Sequence, residues 1–472
     1  MLFPTIDFLV FFSFVFPVTW SLNRINRLKK FFLVVCSYVF YSFWNWHFIF
    51  LLLFSSIVNY ATGQCLGYAR SASARKLVVG GGIAANLSVL GYYKYFDFVS
   101  SELHNFAELF GTDIDFGATN NALPVAISFL TFHGLSYIID VYRQKIPPSK
   151  SLIDLILYIS FFPHLIAGPI VRASDLLGQL AHPSDPSKVQ LGPSMMLILG
   201  GLFKKVVIAS HLATLFVDPI FTNPVDYSRG DLILAAYAYA IVIYCDFSAY
   251  TDIAIGIADL LGYRFPQNFN QPYRAISVQD FWRRWHMTLS SWLRDYLYIP
   301  LGGNRNGILK TYRNLLLTMT LGGLWHGAGL QFVLWGFMHG LALVLERAVD
   351  EALGSKPEER SVPSRLIGWF VTLNFVCLAW IFFRSPNLAY AMEYIGAMIG
   401  GTSSKSIIDS FILTLMAVGG ASQFLPIRFY DGMKILYEKA PLGIQILVPS
   451  AWIWLVAVLA PQGIAPFIYF QF

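Results

Sequence analysis

The sequence predicts an all-α polytopic integral membrane protein, and three observations carry that expectation. Of its 472 residues, 56% are hydrophobic and only 13% are charged, about half the charged share of a soluble domain. The apolar residues fall in runs of the length that a bilayer requires. The short loops between them hold the excess positive charge, a formal net +6, which is the positive-inside pattern and not a surface for nucleic acid. No polar block is long enough to fold by itself, so residues 1–472 read as a single membrane-embedded domain. The four cysteines (Cys36, Cys65, Cys245 and Cys377) sit singly in apolar segments. Their spacing suggests no disulfide framework and no metal site.

The first apolar run, Phe8 to Trp20, lacks a preceding basic region and a following cleavage site, and reads as an uncleaved span. Arg24, Arg27, Lys29 and Lys30 follow it without an acid. Phe31 to Ala69 is too long for one span and breaks at the aromatic turn Trp44-Asn45-Trp46-His47. Arg70, Arg75 and Lys76 precede the next span, Leu77 to Phe96. Asp97 to Ala122 carries Asp97, Glu102, Glu108, Asp113 and Asp115 and no lysine or arginine. Leu123 to Val141 is again apolar, then come Arg143, Lys145 and Lys150. This alternation puts the N-terminus and the acidic loop outside and the basic loops in the cytoplasm.

Beyond residue 150 the pattern is irregular. Phe162-Pro163-His164-Leu165-Ile166-Ala167-Gly168-Pro169 interrupts an apolar run, as broken helices do where protein surrounds them or they line a cavity. His164 has two readings there, as a cavity residue or as a partner for backbone freed by the prolines. Met195 to Val217 is apolar except for Lys204 and Lys205, which read as snorkelling or as a helix end. Leu232 to Leu261 contains Asp246, Asp252 and Asp259 and belongs inside a bundle. Asp252 and Asp259 share a face, with pairing to arginines of the next segment and a chemical role both open. Gly262 to Arg313 is arginine-rich and cytoplasmic by the same rule. Further spans fall near Leu315 to Glu346, Leu366 to Phe383, Ile407 to Leu425 and Leu442 to Ala460, about eleven in all. No internal repeat is evident.

The most unusual stretch is Ser277 to Gly340. Ser277 and Asp280 form the pattern of a capping box. On an unbroken helix, Phe281, Trp282, Trp285, Leu289, Trp292, Leu293 and Tyr296 share one face, suited to lying at a membrane surface. His286 falls about 40° round from Trp282, inside that apolar arc, with Arg283 and Arg294 at about 100° and 120° on the adjoining flank and Arg284 near 200°, pointing away. Further on, His326 stands between Trp325 and Gly327 with glycines at 322, 323 and 329. An intramembrane histidine is costly without a partner and is a candidate functional residue, the plainer alternative being a buried imidazole bonded to a backbone carbonyl. His326 and His339 are 13 positions apart, about 140° round an unbroken helix, and are not expected to share a site there.

The sequence contains no nucleotide-binding loop, dinucleotide fingerprint, nucleophile elbow or H-E-x-x-H pair. Leu301 to Gly307 reads as a plain turn, with phosphate binding by its backbone as the alternative. An imidazole can take a proton from a hydroxyl as its oxygen attacks an acyl carbon, and arginines suit a phosphate-bearing thioester. Chemistry alone reaches a membrane-embedded general base with basic surroundings.

The motifs F-W-R-R-W-H-M-T-L-S-S-W-L-R-D-Y-L-Y-I-P-L-G-G, L-G-G-L-W-H-G-A, F-F-P-H-L-I-A-G-P-I-V-R and Y-C-D-F-S-A-Y-T-D-I-A resemble the signatures of the membrane-bound O-acyltransferase family. The similarity extends over nearly the whole chain, through the ending A-P-Q-G-I-A-P-F-I-Y-F-Q-F, and is nearest the bacterial branch of alginate O-acetylation and teichoic acid D-alanyl transfer proteins. It implies a ring of tilted helices around a thin central tunnel. It also implies catalytic roles for His326 and His286, and acetyl-CoA as donor, without a metal. On the flank beside His286, Arg283 and Arg294 are expected to steer the donor phosphates, anchoring of the helix to anionic lipid headgroups being the alternative, and Trp285 and Trp325 are expected to join them in binding the donor. The implied setting is a bacterial inner membrane with the N-terminus periplasmic. Implied partners are periplasmic acetyltransferases and an exported polysaccharide, alginate foremost. D-alanyl or other acyl transfer to another envelope polymer is the near alternative, and a polysaccharide transporter the alternative from a different class.

Overall fold

The computed structural model describes residues 1, 3–112, 117, 119, 122–355, 357–461 and 467, and of Ile427 only the backbone. The described residues are helical, without a strand. Among them, five helical runs are long and apolar enough to cross a bilayer: Trp46–Tyr68, Leu191–Thr222, Arg229–Leu260, Leu330–Leu353 and Val362–Arg384. Ile6–Ser21, Ser410–Ala421 and Leu442–Val458 are shorter apolar helices. The break expected at Trp44–His47 is present, because Asn26–Ser42 ends before it and Asn45 accepts the His47 N–H at 3.0 Å to start the next turn. The acidic segment after Asp97 continues as a helix, Phe96–Glu108, while Asp113, Asp115 and most of the ending after Pro461 lie outside the described residues. Leu388–Gly400 and Ile427–Lys439 are helices that hydropathy does not reveal.

Contacts divide the chain into two units, residues 1–190 with 257–266, and residues 191–256 with 267–472. In the first, Ile127–Tyr142 is the central helix and is almost wholly buried. Asn59 and Asn86 exchange amide hydrogen bonds at 3.1 and 3.0 Å, which lets both be buried, and a Cβ on Gly134 would collide with the pair. Leu152–Ser160 stops at Phe161 and a single turn, Phe162–Leu165, resumes. The break strands the Tyr158 carbonyl, which accepts from His164 Nε2 at 3.0 Å, while the Phe162 N–H goes to Ser37 Oγ at 3.1 Å. Of its two readings, His164 takes the backbone one.

In the second unit, Leu191–Thr222 contains two π-helical turns, Phe203–Ala209 and Ala213–Val217. Lys204 and Lys205 do not snorkel. Lys204 reaches Asp252 at 2.5 Å and Ser248 Oγ at 2.8 Å, and Lys205 reaches Asp246 at 2.8 Å. Asp252 therefore pairs with a lysine before it rather than an arginine after it. A charge in an apolar interior requires a close partner, and a π-turn brings successive side chains nearer in angle than an α-turn does. Asp259, in the first unit, accepts the Gln190 N–H at 2.8 Å.

Ile308–His326 and Leu330–Leu353 form a hairpin in the second unit, turned at Gly327–Gly329. Glycines bring the two backbones together, as small residues do between membrane helices. A Cβ on Gly323 would run into the Phe332 carbonyl and come within 2.9 Å of Gly336, and one on Gly336 would run into the Met319 carbonyl. Gly323→Leu and Gly336→Leu should therefore abolish folded protein in detergent extracts. Gly80→Ala meets nothing within 4 Å and should keep or slightly raise Tm, since Ala gains about 1 kcal/mol over Gly in a helix. Equal monodisperse yields for all three on gel filtration would contradict this packing.

Candidate active site

The Ser277 cap forms as expected, its Oγ accepting the Asp280 N–H at 3.1 Å. Asp280 does not close a capping box. It accepts from the Ile276 N–H at 3.3 Å and from Arg284 Nε at 2.7 Å. The helix Val278–Arg284 then ends, Trp285 is extended, His286 is left-handed at φ 41° and ψ 54°, and a second helix runs Met287–Leu293. The expected unbroken helix is thus two short ones, followed by a π-helical turn, Arg294–Tyr298. A left-handed residue with a Cβ costs about 1–2 kcal/mol, so the surroundings must hold it.

The loop at Asn268 holds it. The Asn270 N–H donates to the Arg284 carbonyl at 2.9 Å and the Met287 N–H to the Asn268 carbonyl at 2.9 Å. Asn268 Oδ1 accepts the Thr288 N–H at 3.2 Å and Thr288 Oγ1–H at 2.8 Å. A helix start leaves its first N–H groups without intrahelical partners, and Asn268 takes two of them from another part of the chain. His286 Nδ1 lies 3.1 Å from the same Oδ1. A backbone N–H only donates, so the atom facing Thr288 is the amide oxygen. That oxygen only accepts, so His286 Nδ1 carries the hydrogen. His286 is fully buried in this loop region, outside the candidate spans. Burial pushes its pKa down to about 3, so the ring is neutral and Nε2 presents a lone pair. Nε2 is buried without a hydrogen-bond partner among the described residues.

His326 ends its helix, buried with its ring 4.8 Å from Trp325, 5.1 Å from Trp335 and 5.2 Å from Phe383. The Trp325 ring also faces His286 at 6.4 Å, so the two imidazoles share one tryptophan wall. Phe247 at 4.7 Å and Phe269 at 6.4 Å complete the surroundings of His286. His339 joins the same cluster because the turn at Gly327–Gly329 breaks the helix. Its ring is 4.7 Å from Trp335, and its Nδ1 accepts from Trp282 Nε1 at 3.3 Å.

Trp282, Trp285, Leu289 and Trp292 are 8, 2, 1 and 7% exposed. They pack into protein, which corrects the expectation that this face lies in the membrane surface. Trp285 is enclosed by Phe269 at 5.0 Å, Trp380 at 5.1 Å and Phe281 at 5.6 Å. Arg283 and Arg294 have side chains 62 and 61% exposed, beside Glu358 at 3.5 Å and Asp295 at 2.7 Å. The break at His286 removes the single helical flank on which the two arginines were placed. Arg284 is tied inward to Asp280 and to the Asn270 carbonyl at 3.4 Å. Sequence reasoning missed Asn268, Phe247 and Trp335. Asn268 sits in an ordinary Gln-Asn-Phe-Asn loop and gives no local signal, whereas the glycines at 327 and 329 could have announced the break that admits His339.

The arrangement suits proton transfer, with buried imidazoles, one of them neutral with an open nitrogen, in an aromatic setting that excludes water. A sequence model of the membrane-bound O-acyltransferase family matches residues 142–391, which include His286 and His326. A probable alginate O-acetylase of Pseudomonas aeruginosa is 40% identical over 96% of this chain and 84% of its own length. A peptidoglycan O-acetyltransferase of Helicobacter pylori is 38% identical over 79% of this chain and 74% of its own. A teichoic acid D-alanyltransferase of Bacillus subtilis is 27% identical over 55% of this chain and 68% of its own. With more than half of the chain matched by the family model and such a relative spanning nearly all of it, this protein belongs to the membrane-bound O-acyltransferase family and is an O-acyltransferase embedded in a membrane.

Proposed function

We propose that the chain takes acetyl groups from cytoplasmic acetyl-CoA and passes them across a bacterial inner membrane for O-acetylation of an exported polysaccharide, with alginate the first candidate. The chain would act as one membrane domain, residues 1–472, of about eleven tilted helices around a thin central tunnel. Periplasmic acetyltransferases would complete the transfer. The observation that carries the reading is the buried pair His286 and His326 on a shared tryptophan wall, in a chain whose alginate and peptidoglycan relatives are named for O-acetylation. His326 is the proposed general base and His286 the second catalytic imidazole. The hydroxyl proton passes to an imidazole nitrogen as the hydroxyl oxygen bonds to the acyl carbon. The carbon–sulfur bond then breaks, and the proton returns to the leaving thiolate. Transfer of D-alanine to another polymer is the second reading, favoured by the teichoic acid relative.

His326→Ala should lower acetyl transfer by about 10²- to 10⁴-fold, the usual loss with a general base, with folded protein unchanged. His286→Ala should also impair turnover strongly. Release of CoA from labelled acetyl-CoA by the protein in membranes that retain their periplasmic acetyltransferases, given an alginate oligosaccharide, measures both. Wild-type rates from a well-folded His326→Ala variant would remove the assignment.

Arg283 and Arg294 are the proposed contacts to donor phosphates, and Trp285 and Trp325 the walls near the acyl end. Because Arg283 is exposed to solvent, its charge-assisted bond is screened, and Arg283→Ala should raise the donor KM about 3- to 10-fold, less at high salt. Arg284→Ala instead loses the partner of Asp280 and should show as lost folded protein. Indistinguishable donor titrations for the two variants would exclude a phosphate role for Arg283.

For orientation, single cysteines at Thr112 and Asn306, both exposed, should react with an impermeant reagent from opposite sides once Cys65 is replaced. Reaction of both from outside would contradict a periplasmic acidic loop and a cytoplasmic arginine-rich segment.

A further inference from the structure

The functional reading does not use Asn268, although Asn268 makes more contacts to the His286 junction than any helix residue there needs. Its carbonyl takes the Met287 N–H and its side-chain oxygen takes the Thr288 N–H, the Thr288 hydroxyl and His286 Nδ1–H. The side chain is 1% exposed, and its own amide nitrogen is buried without a hydrogen-bond partner among the described residues. A capping residue requires only the first two of these bonds. The bond to the imidazole decides something different, namely which ring nitrogen is open.

We infer that Asn268 is a positioning residue of the proposed acyl transfer, fixing His286 as the Nδ1–H tautomer so that Nε2 is the atom offered to substrate. The inference rests on the reading of His286 as a catalytic imidazole. A neutral histidine has two tautomers, and the group bonded to one nitrogen selects between them. Here the selection has no freedom, because the Thr288 N–H forbids the Asn268 amide from flipping. If it flipped, its NH₂ would face a backbone donor. The left-handed backbone of His286 and its edge-to-face contact with Phe247, rings at 88°, fix the direction in which the ring points. When Nε2 takes a proton or a hydrogen bond from substrate, the Nδ1–H bond to Asn268 becomes charge-assisted and strengthens. Asn268 thus acts through His286 and need not touch substrate.

Two measurements test this. In protein labelled with ¹⁵N-histidine, the signals lost in His286→Ala should show a protonated Nδ1 and a bare Nε2 in the wild type. A proton on Nε2 would overturn the inference even if every Asn268 variant failed to fold. In the acetyl-CoA and alginate oligosaccharide assay, Asn268→Leu should lower kcat roughly tenfold or more, as loss of a tautomer-setting partner does elsewhere, with the donor KM within about threefold. Asn268→Asp keeps an acceptor oxygen and should recover kcat to within a few-fold of wild type. Thr288→Val removes the 2.8 Å bond to the same oxygen but leaves the imidazole bond, and should keep at least a third of kcat. Equal losses from Asn268→Leu and Thr288→Val, with the His286 signals unchanged in both, would reduce Asn268 to a helix cap and overturn the proposal. Wild-type turnover by His286→Ala would instead overturn the functional reading, whereas the ¹⁵N spectrum reports the tautomer alone, so the two failures are distinguishable.

Discussion

A helix break in the buried part of an apolar protein strands backbone donors and acceptors away from water, and two such breaks here are organised by what picks them up. The cost of a buried unpaired N–H or C=O is about 1–3 kcal/mol, so each break needs a partner from elsewhere in the chain. At residue 161 the partners are His164 and Ser37. At residue 286 the partner is Asn268, reaching from a loop 18 positions earlier in the chain. A residue recruited to satisfy backbone is held rigidly, and a rigid polar group beside an imidazole is also what a catalytic site requires. In the proposed site the structural demand and the chemical one would meet in the same side chain.

The same demand explains which expectations the sequence supported. Hydropathy and loop charge report on long apolar runs, so the helices up to residue 142 and the break at Trp44 were legible, with Trp46–Tyr68 long and apolar enough to cross a bilayer. The Ser277 cap was legible because its partner is three residues away. The break at His286 was not, because the periodicity of Phe281, Trp282, Trp285 and Leu289 is perfect for a continuous helix. What receives that break is the loop at Asn268 and Asn270, outside any local window. The aromatic residues assigned to the membrane surface pack instead on Trp380 and Trp335, which come from later helices. Tertiary contacts overrode a pattern that was correct as a pattern.

Of the three carboxylates only Asp246 is buried, with Asp252 and Asp259 partly exposed, and their partners were not legible. Three acids on one apolar helix announce an interior polar site, and arginines were the obvious counter-charges in the segment that follows. The lysines that pair with Asp246 and Asp252 lie on the preceding helix, inside a π-helical turn. Nothing in Phe-Lys-Lys-Val-Val distinguishes a π-turn from an α-turn, so which residues meet was not recoverable from composition.

The glycine contact between Ile308–His326 and Leu330–Leu353 has a consequence for motion. Two helices whose backbones touch at Gly323 and Gly336 have no side-chain layer between them to slide or repack. They behave as one stiff strut, and His326 and His339, carried on its two arms, keep their separation under thermal fluctuation. In the proposed site, an opening that admits a ligand to His326 would therefore come from a residue facing the strut, such as Phe383 on Val362–Arg384, rather than from the strut. In the proposed site the hairpin would be the fixed jaw.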